Sequence, residues 1–189
     1  MPDHVILAAG PSLADATYET RYAATRAVSR AIAAPLAVED MVVQAMPDTS
    51  PTKWHLAHVT WFFETFVLAR FVPGYRCFDA DYAFLFNSYY EGAGDRHARP
   101  ERGLITRPTV AEVLDYRDYV DAAMAGLLTE VPDNAEVAQL VELGINHEQQ
   151  HQELMLMDIL NLFSRNPLRP TYVAASAMPQ EMVASDATW

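Results

Sequence analysis

The sequence has a single cysteine, Cys77, so it forms no internal disulfide, which is typical of proteins in a reducing compartment. It also has few basic residues: 13 Lys and Arg stand against 25 Asp and Glu, giving a net charge of −12. This balance argues against nucleic-acid and anionic-membrane partners, since both bind basic surfaces. No apolar run reaches the roughly 20 residues of a membrane helix, because WFFETFVLARF is interrupted by Glu64 and Arg70. The start, MPDHVILAAG, lacks the basic region of a secretory signal. We therefore expect a cytoplasmic protein.

The 189 residues, 51% of them apolar, are typical of one globular domain. Helix-favouring periodicity and Pro or Gly punctuation predict four helices, spanning about residues 15–34, 51–71, 109–130 and 134–163. Ser12 or Asp15 is the expected N-cap of the first helix, and Ser50 that of the second. The second is apolar on most sides, which places it in the middle of a bundle. The sequence thus predicts an all-α four-helix bundle with a long crossover, residues 73–107, between helices 2 and 3.

The remaining segments set the expected domain boundaries. Residues 1–14 are predicted to be a flexible lead-in and residues 15–165 the bundle itself. Residues 166–189 contain three prolines and no sustained period, so we expect an extended C-terminal tail that acts as a linker.

Two histidines of the segment NHEQQHQE, His147 and His151, are four residues apart. On a helix they lie on one face, one turn apart, so that their ring nitrogens can reach one metal ion. Leu154 and Asp158 continue the same face. A third ligand is available from the segment WHLAH in the second helix, which offers His55 and His58.

We select His58 as the third ligand because it shares a helical face with Trp54, Trp61 and Thr65. The periodicity separates it only weakly from His55, which shares a face with apolar residues. Three neutral imidazoles leave open coordination positions, which suits Fe(II) with substrate and O2, or Zn(II) with a water. Spacing alone does not choose between these ions.

The string HEQQH also matches the HExxH motif of zinc peptidases, in which Glu148 would be the general base. The long form of that motif requires Gly and His three and six residues after the second His, where this chain has Leu154 and Met157. The form with a downstream glutamate ligand would have only Glu181 in the tail. We therefore interpret the match as a coincidence of helical spacing.

Three segments in order, SPTKWHLAHVTWFFETFVL, FNSYYEGAGDRHARPERGLITRP and INHEQQHQELMLMDI, followed by NPLRPTY, resemble the N-terminal DinB-like domain of ergothioneine-biosynthesis sulfoxide synthases. The resemblance covers about residues 15–172. It implies a non-haem Fe(II) enzyme that uses O2 to join a thiol, γ-glutamylcysteine or cysteine, to hercynine as a sulfoxide.

The resemblance also assigns residues and partners. It implies that His58, His147 and His151 hold the iron and that Arg96 and Arg99 bind the carboxylate of the thiol substrate. It further implies a second domain, similar to the formylglycine-generating enzyme, which completes the hercynine pocket and supplies a catalytic tyrosine. On this reading residues 166–189 lead towards that absent domain. We accordingly expect metal binding from this chain but no catalytic residue and little synthesis by it alone.

Two alternatives remain open. One is a free-standing DinB-like thiol transferase or hydrolase that uses Zn(II) or another divalent ion. The other is a helical bundle whose histidines are structural. The identity of the thiol and the oligomeric state do not follow from the sequence.

Overall fold

The computed structural model describes residues 16–88, 92 and 94–173. This part of the chain is all-helical, without a β-strand, so the predicted fold class is confirmed. Its α-helices are α1 (Tyr18–Ala33), α2 (Thr52–Phe63), α3 (Ala69–Phe71), α4 (Tyr82–Phe86), α5 (Val110–Glu130) and α6 (Ala135–Arg165). A π-helical turn, Glu64–Leu68, joins α2 to α3, and a 3-10 helix spans Arg99–Leu104. The predicted lead-in, residues 1–14, and residues 174–189 of the predicted linker lie outside the described residues.

Side-chain caps fix the starts of three long helices. Thr17 caps α1 by accepting a hydrogen bond from the Thr20 amide, and Asn134 caps α6 in the same manner. At α5, Thr109 and Glu112 form a reciprocal capping box, with Thr109 Oγ1 accepting from the Glu112 amide and Glu112 accepting from the Thr109 amide. The N-cap candidates Ser12 and Asp15 lie outside the described residues.

The predicted capping role of Ser50 is wrong. Pro51 is the N-cap residue of α2, and no side chain caps this helix. Ser50 has other partners: its amide donates to Asp158 Oδ2 at 2.9 Å, and its hydroxyl accepts from Arg102 at 2.9 Å. The Ser50 hydroxyl is therefore engaged by Arg102 at a buried junction, where polar groups need partners, and does not cap α2.

The bundle is built around α2, all of whose residues are buried. It packs against α5 and α6, and α1 packs against α6. The close approach of α2 and α6 requires Gly144, because a Cβ there would lie 2.4 Å from a ring carbon of Phe63. The central position predicted for the second helix follows from this packing.

The crossover between α3 and α5 is partly helical and is held down by aromatic side chains. Phe78 and Tyr82 pack on Tyr116 of α5, with ring centroids 5.2 and 5.0 Å away. Glu64, at the start of the π-helical turn, accepts hydrogen bonds from Tyr75, from the Phe78 amide and from Tyr116. These bonds attach the crossover to the C-terminal end of α2 and fix its path across the bundle.

After α6 the chain turns back to the bundle. The Tyr172 hydroxyl donates to the carbonyl of Ile32 in α1 at 2.7 Å, so the first residues of the predicted linker pack on the domain. None of the helices in the described residues is both long enough and apolar enough to span a membrane.

Candidate metal site

His58 is held in place by two tryptophans and one backbone carbonyl. Its ring is stacked on Trp54, with centroids 4.6 Å apart and planes 14° apart, and Trp61 lies on the same helical face at 5.8 Å. The His58 Nδ1–H donates to the carbonyl of Phe86, at the end of α4, over 2.6 Å. This bond sets the tautomer and leaves Nε2 with a lone pair.

A buried charge cluster, formed by Arg26, Arg117, Asp121 and Glu148, fixes the rotation of α6. Glu148 is fully buried, and its carboxylate contacts Arg26 at 3.0 Å, Arg117 at 3.1 Å and the Ser29 hydroxyl at 2.6 Å. These partners lie on α1 and α5. With α6 in this rotation, His147 and His151 lie beside His58 of α2.

The three predicted ligands come together. His58 Nε2 and His147 Nε2 are 3.2 Å apart, and the His151 ring lies 4.7 Å from His58 and 4.6 Å from His147 between centroids. One candidate ligand nitrogen from each residue lies within 4.8 Å of the others. Two nitrogens bound to one ion at 2.0–2.1 Å are roughly 3 Å apart, so small side-chain adjustments close the set on a metal. The donor set and its spacing fit a divalent cation.

Burial keeps these imidazoles neutral. Desolvation, followed by the proximity of His147, lowers the pKa of His58 well below its usual value. Desolvation also lowers the pKa of His147, to about 4, and that of His151 strongly, where the neighbouring histidines act in the same direction. Neutral imidazole is the form that binds a metal, so the ligands need lose no proton at neutral pH.

Glu148 has no geometry for the peptidase mechanism. Burial alone would raise the pKa of its carboxyl, but Arg26 and Arg117, with hydrogen bonds from Ser29 and Arg26, outweigh burial and lower it to about 2. The carboxylate therefore stays ionised, faces α1 and α5, and is not exposed to a metal-bound water. This agrees with the interpretation of HEQQH as a coincidence of spacing.

The sequence comparison assigns the family. Residues 21–155, which include all three histidines and most of the chain, match the DinB superfamily. The chain belongs to the DinB superfamily. DinB members are often metal-dependent enzymes, in keeping with the convergence of His58, His147 and His151. A search of curated proteins found no match to this chain.

Beside the three histidines of this DinB domain lies a cavity of about 480 Å³. Arg99 and Arg102 contribute to its wall, together with Met46, Leu154 and Met157. Arg102 is buried; it bonds to Ser50 and Ser88 and lies 3.3 Å from the centroid of the Trp54 ring. The cavity wall thus combines the candidate metal ligands, two arginines, two aspartates (Asp48 and Asp158) and apolar side chains.

The two predicted substrate arginines occupy different places. Arg99 is exposed, lines the cavity and donates to the carbonyl of Asp48. Arg96 is also exposed, does not line the cavity, and donates to the carbonyl of Ser88. The geometry therefore favours Arg99 over Arg96 for contact with a molecule bound beside the histidines.

Sequence reasoning gave no role to three residues of this site: it considered His55 and set it aside as a ligand, noted Asp158 only for its helical face, and did not single out Arg102. His55 lies 2.8 Å from His151 and 3.0 Å from Asp158. Two weak signals were present, since Asp158 lies seven residues after His151 on the same helical face and Arg102 lies three residues after Arg99. Neither spacing predicts a place in the site unless the position of the crossover against α2 and α6 is known.

Proposed function

We propose that this domain binds one divalent metal ion through His58, His147 and His151. The observation that carries the proposal is the meeting of three neutral imidazoles, buried or half-buried, from two helices, at the wall of a cavity. The set contains no carboxylate, so a bound M²⁺ would keep its full double charge. Such a site favours an anionic substrate, such as a thiolate, in one of the open positions.

We further propose Fe(II) as the resident ion and sulfoxide synthesis as the reaction of the protein to which the domain belongs. The three sequence segments that resemble sulfoxide synthases support this, since all three contribute to the site: His58, the crossover arginines and the α6 pair. When bound, iron supplies the activation of O2. The proposed substrates are a thiol, γ-glutamylcysteine or cysteine, together with hercynine and O2, and a second domain similar to the formylglycine-generating enzyme is the proposed partner in a cytoplasmic enzyme.

The chain's own contribution to this reaction is to bind and orient. Arg99 can form two parallel hydrogen bonds with the carboxylate of a thiol substrate, because the guanidinium group matches carboxylate geometry. Leu154 and Met157 give the thiol an apolar surface to pack against. Arg96 is kept in the proposal as a more distant carboxylate contact.

A second candidate function follows from the same ligand set. Three histidines with an open fourth position also suit tetrahedral Zn(II) holding a water or a thiolate. The chain would then be a DinB-like thiol transferase or hydrolase that needs no O2. The two functions differ in their metal preference and in their need for an oxidant.

Anaerobic calorimetric titration with Fe(II) and with Zn(II) tests the metal site. We expect one equivalent to bind the wild-type chain and none to bind His147→Ala tightly. His97→Ala serves as the matched control, because His97 lies in the crossover outside the cavity lining. Equal binding by wild type and His147→Ala would contradict the site.

Incubation of the Fe(II)-loaded chain, joined to the proposed second domain, with hercynine, γ-glutamylcysteine and O2 tests the reaction: we expect a sulfoxide detectable by mass spectrometry, and thiol binding by the chain is followed in parallel. We expect Arg99→Ala to weaken thiol binding and His97→Ala to leave it unchanged. A chain that selects Zn(II) and binds the thiol equally with and without Arg99 would favour the transferase or hydrolase.

A further inference from the structure

His55, the histidine not selected as a ligand, lies directly behind the candidate metal site. Its Nδ1 is 2.8 Å from Nδ1 of His151, and its Nε2 is 3.0 Å from Oδ2 of Asp158. The same oxygen of Asp158 accepts a hydrogen bond from the Ser50 amide at 2.9 Å. His55 is 3% exposed and Asp158 is half-buried, and both line the cavity beside the three histidines.

The positions of the protons along the hydrogen bonds from Asp158 through His55 to His151 follow from the acceptor role of Asp158. Asp158 Oδ2 accepts from the Ser50 amide and is an acceptor for His55 as well, so His55 carries its proton on Nε2. The Nδ1 of a neutral His55 then holds a lone pair, and the hydrogen between the two rings must come from His151 Nδ1. With Nδ1 of His151 protonated, the lone pair of its ring is on Nε2.

We propose that the hydrogen-bond chain Asp158–His55–His151 is a positioning device that fixes the tautomer and orientation of His151, so that Nε2 is presented to the metal. This inference rests on the proposed metal site. Hydrogen bonds from the second nitrogen of a ligating histidine set its tautomer and raise its basicity. Asp158, through His55, thus supplies a negative charge that the three neutral ligands lack.

The comparison with His58 supports this reading. His58 also engages its Nδ1, in a bond to the Phe86 carbonyl, and leaves Nε2 for a metal. The two ligands therefore use the same nitrogen and differ in the acceptor behind it: a backbone carbonyl for His58, and a histidine linked to a carboxylate for His151. The His55 ring thus joins a proposed ligand, His151, to a carboxylate, that of Asp158.

The test uses His55→Phe, which preserves ring volume and removes both hydrogen bonds, and Asp158→Asn, whose amide oxygen still accepts from His55 but carries no charge. Glu153→Gln is the matched control, since Glu153 is exposed on the same helix. Competition titration with Zn(II) measures affinity, and two-bond ¹H–¹⁵N spectra of ¹⁵N-histidine-labelled, metal-free protein report the tautomers.

We expect His55→Phe to weaken Zn(II) binding about 10–100-fold, Asp158→Asn to weaken it less, and Glu153→Gln to leave it unchanged. His151 should carry its proton on Nδ1 in the wild type and lose this preference in His55→Phe. If His55→Phe does not fold, the half-buried Asp158→Asn, read by the same two measurements, carries the test.

Three results would overturn the inference. Wild-type affinity in His55→Phe and Asp158→Asn would overturn the positioning role while leaving the metal site intact. A wild-type His151 protonated on Nε2 would do the same. A wild-type chain that binds no divalent ion would overturn both the inference and the proposed metal site, so the two failures are distinguishable.

Discussion

Replacing Glu148 with Gln removes the central negative charge of the buried charge cluster without changing the size of the side chain. In the native protein this carboxylate faces two buried arginines, Arg26 and Arg117, at 3.0 and 3.1 Å. The cluster contains two positive and two negative groups, and Asp121 alone would remain against both arginines in the variant. Loss of one partner from a buried ion pair typically costs about 3–5 kcal/mol.

The pKa of Glu148 gives an independent magnitude. A fall from its ordinary 4.5 to about 2 in the folded state corresponds to roughly 3 kcal/mol of stability at neutral pH. Because the folded-state value is the lower one, this stability is complete above pH 4.5 and is lost as pH falls towards 2. The difference between wild type and Glu148→Gln should therefore be largest at pH 7 and shrink below about pH 4.5.

Urea denaturation followed by circular dichroism measures this difference. At pH 7 we expect Glu148→Gln to lose roughly 3 kcal/mol, about 6–12 °C in melting temperature, while the exposed control Glu153→Gln changes by less than about 0.5 kcal/mol. The variant should still bind one metal ion, since Glu148 faces away from the site. A loss no larger than that of the control, or a difference that does not depend on pH, would refute the reasoning.

Two further stability predictions concern helix packing and capping, each read by urea denaturation. Gly144→Ala should destabilise the domain by about 1–3 kcal/mol because its methyl group would meet Phe63. Gly126→Ala, with open space around it, should stabilise the domain by up to about 1 kcal/mol. Equal effects of the two variants on the free energy of unfolding would contradict the close approach of α2 and α6. Thr109→Ala should cost about 1 kcal/mol through loss of the α5 capping box, and an unchanged midpoint would show that the box contributes nothing.

The long helices were predictable because their signals are local. The fourth predicted helix begins at about Asn134, and Asn134 is the observed cap of α6. The second runs to Phe71 as predicted, but the π-helical turn within it, Glu64–Leu68, has no local signature. It is held by Tyr75, Phe78 and Tyr116, which come from other parts of the chain, so only the tertiary fold specifies it.

The candidate site divides in the same way. His147 and His151 follow from helical spacing, and His58 follows from its face on an apolar helix. The partners of His55 lie 96 and 103 positions away in sequence and those of Glu148 lie 31 to 122 positions away, on helices whose rotation no single segment determines. Sequence reasoning therefore found the residues proposed to touch the metal and missed those that orient them.

The buried charge cluster allows this protein to fold without a metal ion. Arg26, Arg117 and Glu148 orient α6 through bonds that involve no ion, unlike small zinc domains, which fold only around their metal. A chelator should consequently empty the chain without unfolding it, and the emptied chain should accept a new ion. If the proposed site binds as we expect, its occupant would depend on the cations available to the folded protein.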